Sequence, residues 1–125
     1  MLKKWQSCEG VLKEIHRQTE EIGARLIIAN LPLGWQVDSE VVRFRRDELE
    51  INMPDSFLHS RAANDLMMGF CKKNNIPCID LLDQFREAYS EGAKDLFFRK
   101  DGHMTAKGNR LLAKLLVQEL TPLIH

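Results

Sequence analysis

Twice in this chain an amphipathic helical period runs through a short turn into a brief apolar run, and that repetition restricts the fold more than any other feature. The first instance is Trp5, Cys8, Val11, Leu12, Ile15, Thr19 and Ile22, recurring at steps of three and four in a polar background. The spacing predicts a helix over about Leu2–Ile22 with one apolar stripe. Gly23 can adopt the left-handed conformation that ends a helix, and Arg25–Asn30 reads as a short buried strand stopped by Pro32. The second instance is Phe57, Leu58, Ala62, Leu66, Met67, Phe70 and Cys71, a helix to about Lys73 with Asp55 or Ser56 as its cap. Asn74-Asn75 forms its turn and Ile76–Leu81 the second strand. Helix, turn and apolar strand in this order are the wiring of an α/β fold with short parallel strands flanked by amphipathic helices.

Between these units, Leu33–Ser56 shows no sustained period, and Gly34, Pro54 and many charges interrupt its apolar residues. A connection of that length is a working loop or disordered. Within it Val41–Phe44 could add a short strand and Arg45–Leu49 a helical turn. Arg43, Arg45 and Arg46 form a small basic cluster, either a solvated loop surface or a lid contacting an anion. After the second strand, Leu82, Phe85, Ala88 and Tyr89 predict a short helix stopped near Gly92. Leu111, Leu112, Leu115, Leu116 and Leu120 give a last helix a broad apolar face, with Pro122 beyond its end.

The stretch before that last helix carries the chemistry. Leu96-Phe97-Phe98 leads into Arg99-Lys100-Asp101-Gly102-His103-Met104-Thr105, so an acid and a histidine lie two residues apart in a polar turn. Thr105 is a good N-cap for the helix that follows. Asp101 and His103 can act as the orienting acid and general base of a hydrolase that attacks with a serine. The same Asp could instead simply satisfy backbone N–H groups near the positive helix end. Ligands of open parallel sheets gather beyond the carboxyl ends of the strands. Asn30, the tail of Asp80-Leu81 and the Asp101–His103 turn are therefore expected at one edge.

The wording Asp101-Gly102-His103-Met104-Thr105-Ala106-Lys107-Gly108 resembles the last block of the SGNH/GDSL hydrolase family, in particular the bacterial sugar O-acetyl esterase and acetyltransferase branch. The order of helix, strand ending in Asn30-Leu31-Pro32, long loop, helix, Ile76–Leu81, helix and Asp-x-His is similar to that family's C-terminal half. The resemblance implies the C-terminal half of a flavodoxin-like three-layer fold. It also implies acyl transfer on a small-molecule or glycan ester, with His103 and Asp101 as catalytic residues and no cofactor. The family takes its nucleophile from a Gly-Asp-Ser block, and this chain contains none. The Gly and the Gly-x-Asn-Asp block that donate to the oxyanion are missing too, and Asn30 stands one strand too late to replace that Asn. Ser7 and Ser60 fall within expected helices, Ser90 at a helix end, and Ser39 and Ser56 in the loop; none is on the strand-to-helix turn that exposes an activated serine. Cys78 reads as a core thiol. The chain thus holds the base half of a triad, and a missing N-terminal half or a second chain would supply the rest.

Composition narrows the alternatives. The 125 residues make one domain at most, and 18 basic residues balance 18 acidic ones, which leaves no global field for nucleic acid or an anionic membrane. No run reaches membrane-span length and no signal-peptide pattern is present, so the chain as it stands is expected in the cytoplasm. Cys8, Cys71 and Cys78 are too few for a disulfide framework, and the first and second are expected as buried thiols on helix faces. His16, His59, His103 and His125 are too scattered for a metal site, and Gly10, Gly23 and Gly34 too dispersed for a phosphate loop. The rival to an esterase is a non-catalytic interaction module, self-associating because a two-strand core leaves sheet edges free.

Overall fold

The computed structural model describes residues 2–124. It is an α/β fold of six helices and two short strands: α1 (Leu2–Glu21), β1 (Ile28–Asn30), α2 (Gly34–Val37), α3 (Ser39–Asp47), α4 (Ala62–Lys73), β2 (Cys78–Asp80), α5 (Leu82–Ser90) and α6 (Ala106–Ile124). The strands pair in parallel, Ile28 beside Cys78 and Asn30 beside Asp80. Side chains alternate across a strand, and the two faces bury different cores. On one face Ile28 and Cys78 pack with Phe70, Cys71 and Ile76 against Trp5 and Leu12 of α1. On the other, Ile27, Ile79 and Leu81 join Val37, Val41, Phe85, Leu96 and Phe97, with the leucines of α6 against them.

The helix ends follow local chemistry. At the end of α1, Gly23 has φ 68°, its N–H reaching the Glu20 carbonyl at 3.0 Å and the Ala24 N–H reaching Thr19 at 3.0 Å. That is the double closure of a Schellman ending, which needs the freedom of glycine. At the start of α6, the Thr105 hydroxyl accepts from the Gly108 N–H at 3.1 Å, the expected cap.

Several expectations are corrected. Leu33–Ser56 is neither a structureless loop nor a strand at Val41–Phe44, because α2 and α3 fill most of it. Asp38 caps α3 by accepting from the Glu40 N–H at 2.8 Å, and Val41 and Val42 are fully buried. The second predicted helix begins later, at Ala62, after a separate tight turn over Asp55–Leu58. Ser60 therefore sits before α4, where its hydroxyl accepts from the Ala62 N–H at 3.3 Å. The last helix runs on through Pro122 to Ile124, and the Arg25 guanidinium donates to its Leu123 carbonyl. Finally, α1 does not bury one stripe: Trp5 and Leu12 face the core, whereas Cys8, Val11, Ile15 and Ile22 are exposed.

Candidate active site

The acid–histidine turn is held from three directions. Its own flanks close it first: Phe97 bridges Met104 in antiparallel fashion, and the Phe98 N–H donates to the His103 carbonyl at 2.8 Å. The Gly102 N–H returns to the Phe98 carbonyl, also at 2.8 Å. The start of α2 holds it second, through the Gly34 N–H on the Gly102 carbonyl at 3.2 Å. Arg45 of α3 is the third hold. Its guanidinium donates to the Lys100 carbonyl at 2.7 Å and stacks 4.8 Å over the Trp35 ring. Gly102 has φ 75°, and an added Cβ would stand 2.8 Å from Trp35 Cζ3, so position 102 accepts only glycine. The Arg cluster of the sequence is therefore divided in role, with Arg45 part of the turn's support and Arg43 and Arg46 paired with Glu40, Asp47 and Asp55.

Within that turn the structure brings Asp101 and His103 together. Asp101 Oδ1 accepts from the His103 backbone N–H at 2.9 Å and lies 3.3 Å from His103 Nδ1. The backbone N–H of His103 is the main cause holding the Asp101 carboxyl below its ordinary range, with the imidazole and Arg45 acting in the same direction. The carboxylate is thus ionised at neutral pH and available to orient Nδ1–H. Nε2 is left for another partner. His103 is open, with 84% of its side chain exposed.

His103 lines a cavity of about 330 Å³ formed with Leu31, Pro32, Leu33, Met104, Asn109 and Leu112. One wall is Leu31–Leu33, just beyond β1, but Asn30 itself, expected beside the turn, does not line it. Asp80 does not join them. Its carboxylate turns toward α4, accepting from Asn64 Nδ2 at 2.8 Å and Arg61 Nη2 at 2.7 Å, and Asn64 in turn accepts from Gln36 at 3.0 Å. This buried network was not foreseen; a polar Asn64 on the inner face of an otherwise apolar helix period is its one trace in the sequence. Asn30 lies behind Leu31 and Leu33, on a second cavity of about 230 Å³. Its Nδ2 is buried without an acceptor among the described residues.

Possible nucleophiles are elsewhere. Among the described residues no serine lines the His103 cavity. The Ser7 and Ser90 hydroxyls bond carbonyls within their own helices, and Ser39 meets the Tyr89 hydroxyl at 3.2 Å. Burial pushes the Cys78 thiol up to about 12, with its hydrogen bond to Cys71 adding to the shift, which leaves it inert as a nucleophile. The described residues contain no group of three His, Cys, Asp or Glu able to hold a metal ion, and no helix long and apolar enough to cross a membrane.

The chain gives no significant match to any family model, curated protein or solved structure.

Proposed function

We propose that this chain supplies the Asp–His half of a serine acyl-transfer site, acting on a small-molecule or glycan ester in the manner of the SGNH/GDSL hydrolases that its last block resembles. The observation that carries the reading is the 3.3 Å approach of Asp101 Oδ1 to His103 Nδ1, in a turn held rigid on three sides beside an apolar cavity. In this role His103 Nε2 takes the proton of the attacking serine and returns it to the leaving alcohol. Asp101 fixes the tautomer and stabilises the imidazolium as it forms. The serine would be contributed by another segment or a second chain, which would also complete the two strands into a flavodoxin-like three-layer sheet. The three free thiols, Cys8, Cys71 and Cys78, suit the reducing cytoplasm.

A second reading, an interaction module without catalysis, is favoured by the lack of a serine along the His103 cavity. Because the serine is not on this chain, the imidazole itself separates the two: acylation of each histidine by an aryl acetate, followed by mass spectrometry, with fluorophosphonate labelling in parallel. The acyl-transfer reading expects His103 to acylate faster than the other histidines and to lose that advantage in Asp101→Asn, because an Nδ1–H held by Asp101 leaves Nε2 as the reactive base. It also expects no fluorophosphonate adduct on the chain alone. A His103 no more reactive than His59, or one indifferent to Asp101→Asn, would discard it in favour of the module.

A further inference from the structure

The helix α1 carries a second apolar stripe that no other described element covers. Val11 is 61% exposed and Ile22 80%, with Cys8 and Ile15 also open to solvent. This stripe lies roughly a quarter turn around the helix from Trp5 and Leu12, which face the core. Extended through Lys4 and Gln18 it occupies positions 4, 8, 11, 15, 18 and 22, steps of four and three in strict alternation. That is the seam spacing of two packed helices.

The charges on α1 identify what packs there. Lys3 and Lys4 occupy its first turn and Glu20 and Glu21 its last, with no acid at the start and no base at the end. This is the reverse of what a helix dipole favours. Lys3 and Lys4 form no ion pair among the described residues, whereas Lys13 and Arg17 both do. A second α1 running antiparallel brings acid to each basic end and base to each acidic end.

We propose that α1 is a self-association face, on which two copies of this chain pack antiparallel along the Cys8–Val11–Ile15–Ile22 seam. With the two-fold axis beside Lys13, Val11 of one copy meets Ile15 of the other, Cys8 meets Gln18, and Lys4 falls between Glu21 and Ile22. The contact is isologous, so each pairing occurs twice. It stands independently of the acyl-transfer reading, since Asp101 and His103 take no part in it.

Sedimentation velocity from low to high micromolar concentration tests the proposal. The wild-type chain is expected to dimerise. Val11→Glu, which places two carboxylates in the seam of each dimer, is expected to raise Kd by about 100-fold or more. Because Val11 makes little contact within the chain, far-UV circular dichroism and the Tm of that variant should match wild type. Glu21→Lys should weaken the dimer, and adding Lys3→Glu and Lys4→Glu to it should restore it, as only an antiparallel pair allows. A chain that stays monomeric throughout, or a dimer indifferent to Val11→Glu, would overturn the assignment. Weakening by Glu21→Lys without rescue would overturn the antiparallel arrangement.

Discussion

Gly108 should be the least replaceable residue of α6. It lies at the third position of the helix, where the chain passes directly over the Leu96 carbonyl. A Cβ there would stand 2.1 Å from the Leu96 oxygen and 3.2 Å from Met104 Cβ. Non-bonded carbons settle near 3.5 Å, so α6 or the segment at Leu96 must retreat by roughly an ångström. That retreat pulls apart the bond from the Thr105 N–H to the same carbonyl, now 3.0 Å, at a cost of about 1 kcal/mol. Overpacking of a filled site adds about 1–3 kcal/mol. Against this, Ala is favoured over Gly inside a helix by about 1 kcal/mol. The net expectation for Gly108→Ala is destabilisation by about 2 kcal/mol, roughly a thirty-fold fall in the folded-to-unfolded ratio. Gly10→Ala and Gly69→Ala are the controls, since an added Cβ meets nothing within 4 Å at either helical position. Each should stabilise by about 0.5–1 kcal/mol. Urea unfolding followed by far-UV circular dichroism measures all three. Equal stability of Gly108→Ala and Gly69→Ala would refute the close approach of α6 to Leu96, and with it the seating of the His103 turn on that helix.

Other expectations follow from the polar groups. Asn64→Leu, at a position 2% exposed, strips Asp80 of one donor and leaves the Gln36 amide without its acceptor; destabilisation of about 2–3 kcal/mol is expected in the same urea assay. Asp101 and Glu14 both have carboxyls held low in the folded chain, Glu14 at about 2 chiefly through its hydrogen bond to Arg17. A depressed folded pKa contributes stability above the ordinary carboxylate range, near 4, and loses it as pH falls through the folded value. The Tm should therefore be insensitive to these groups at neutral pH and decline on the acid side, with Asp101→Asn and Glu14→Gln each making that decline shallower. A steeper acid limb in either variant would contradict the sign. Native-state alkylation should modify Cys8 rapidly and leave buried Cys71 and high-pKa Cys78 until the chain unfolds; early modification of Cys78, read by mass spectrometry, would count against the packing of Ile28 and Cys78 on α4.

Much of this structure is legible in the residues wherever a pattern is long or a glycine is obligatory. The run of α1, its ending at Gly23, both apolar strands and the Thr105 cap all follow from local rules. The Asp101–His103 pairing was likewise visible, because two residues in one tight turn need no distant element to bring them together. Legibility fails where burial is decided by tertiary contact. In α2 and α3 the inward residues are only Gly34, Val37, Val41 and Val42 among three arginines, too few to show a period. Yet Asp38 as a cap and Arg45-Arg46 in the last turn were signals available there. The two halves of the α1 stripe look alike in sequence, and only the position of Phe70, whose ring meets Trp5 edge-on at 6.4 Å, decides which half is buried. Arg45 behaves similarly: a charge in a basic cluster by sequence, a support for the Lys100 carbonyl once Trp35 is beneath it.

The claim on which the functional reading depends is that Asp101 holds His103 as an oriented base, and the imidazole nitrogens report on it directly. In a 15N–1H correlation spectrum above the titration of the ring, the neutral imidazole of wild type should carry its proton on Nδ1, facing Asp101. In Asp101→Ala the proton should move toward Nε2, the default of an unrestrained histidine. An Nε2–H tautomer in wild type, unchanged by Asp101→Ala, would mean that Asp101 only caps the turn and that His103 is an ordinary surface residue.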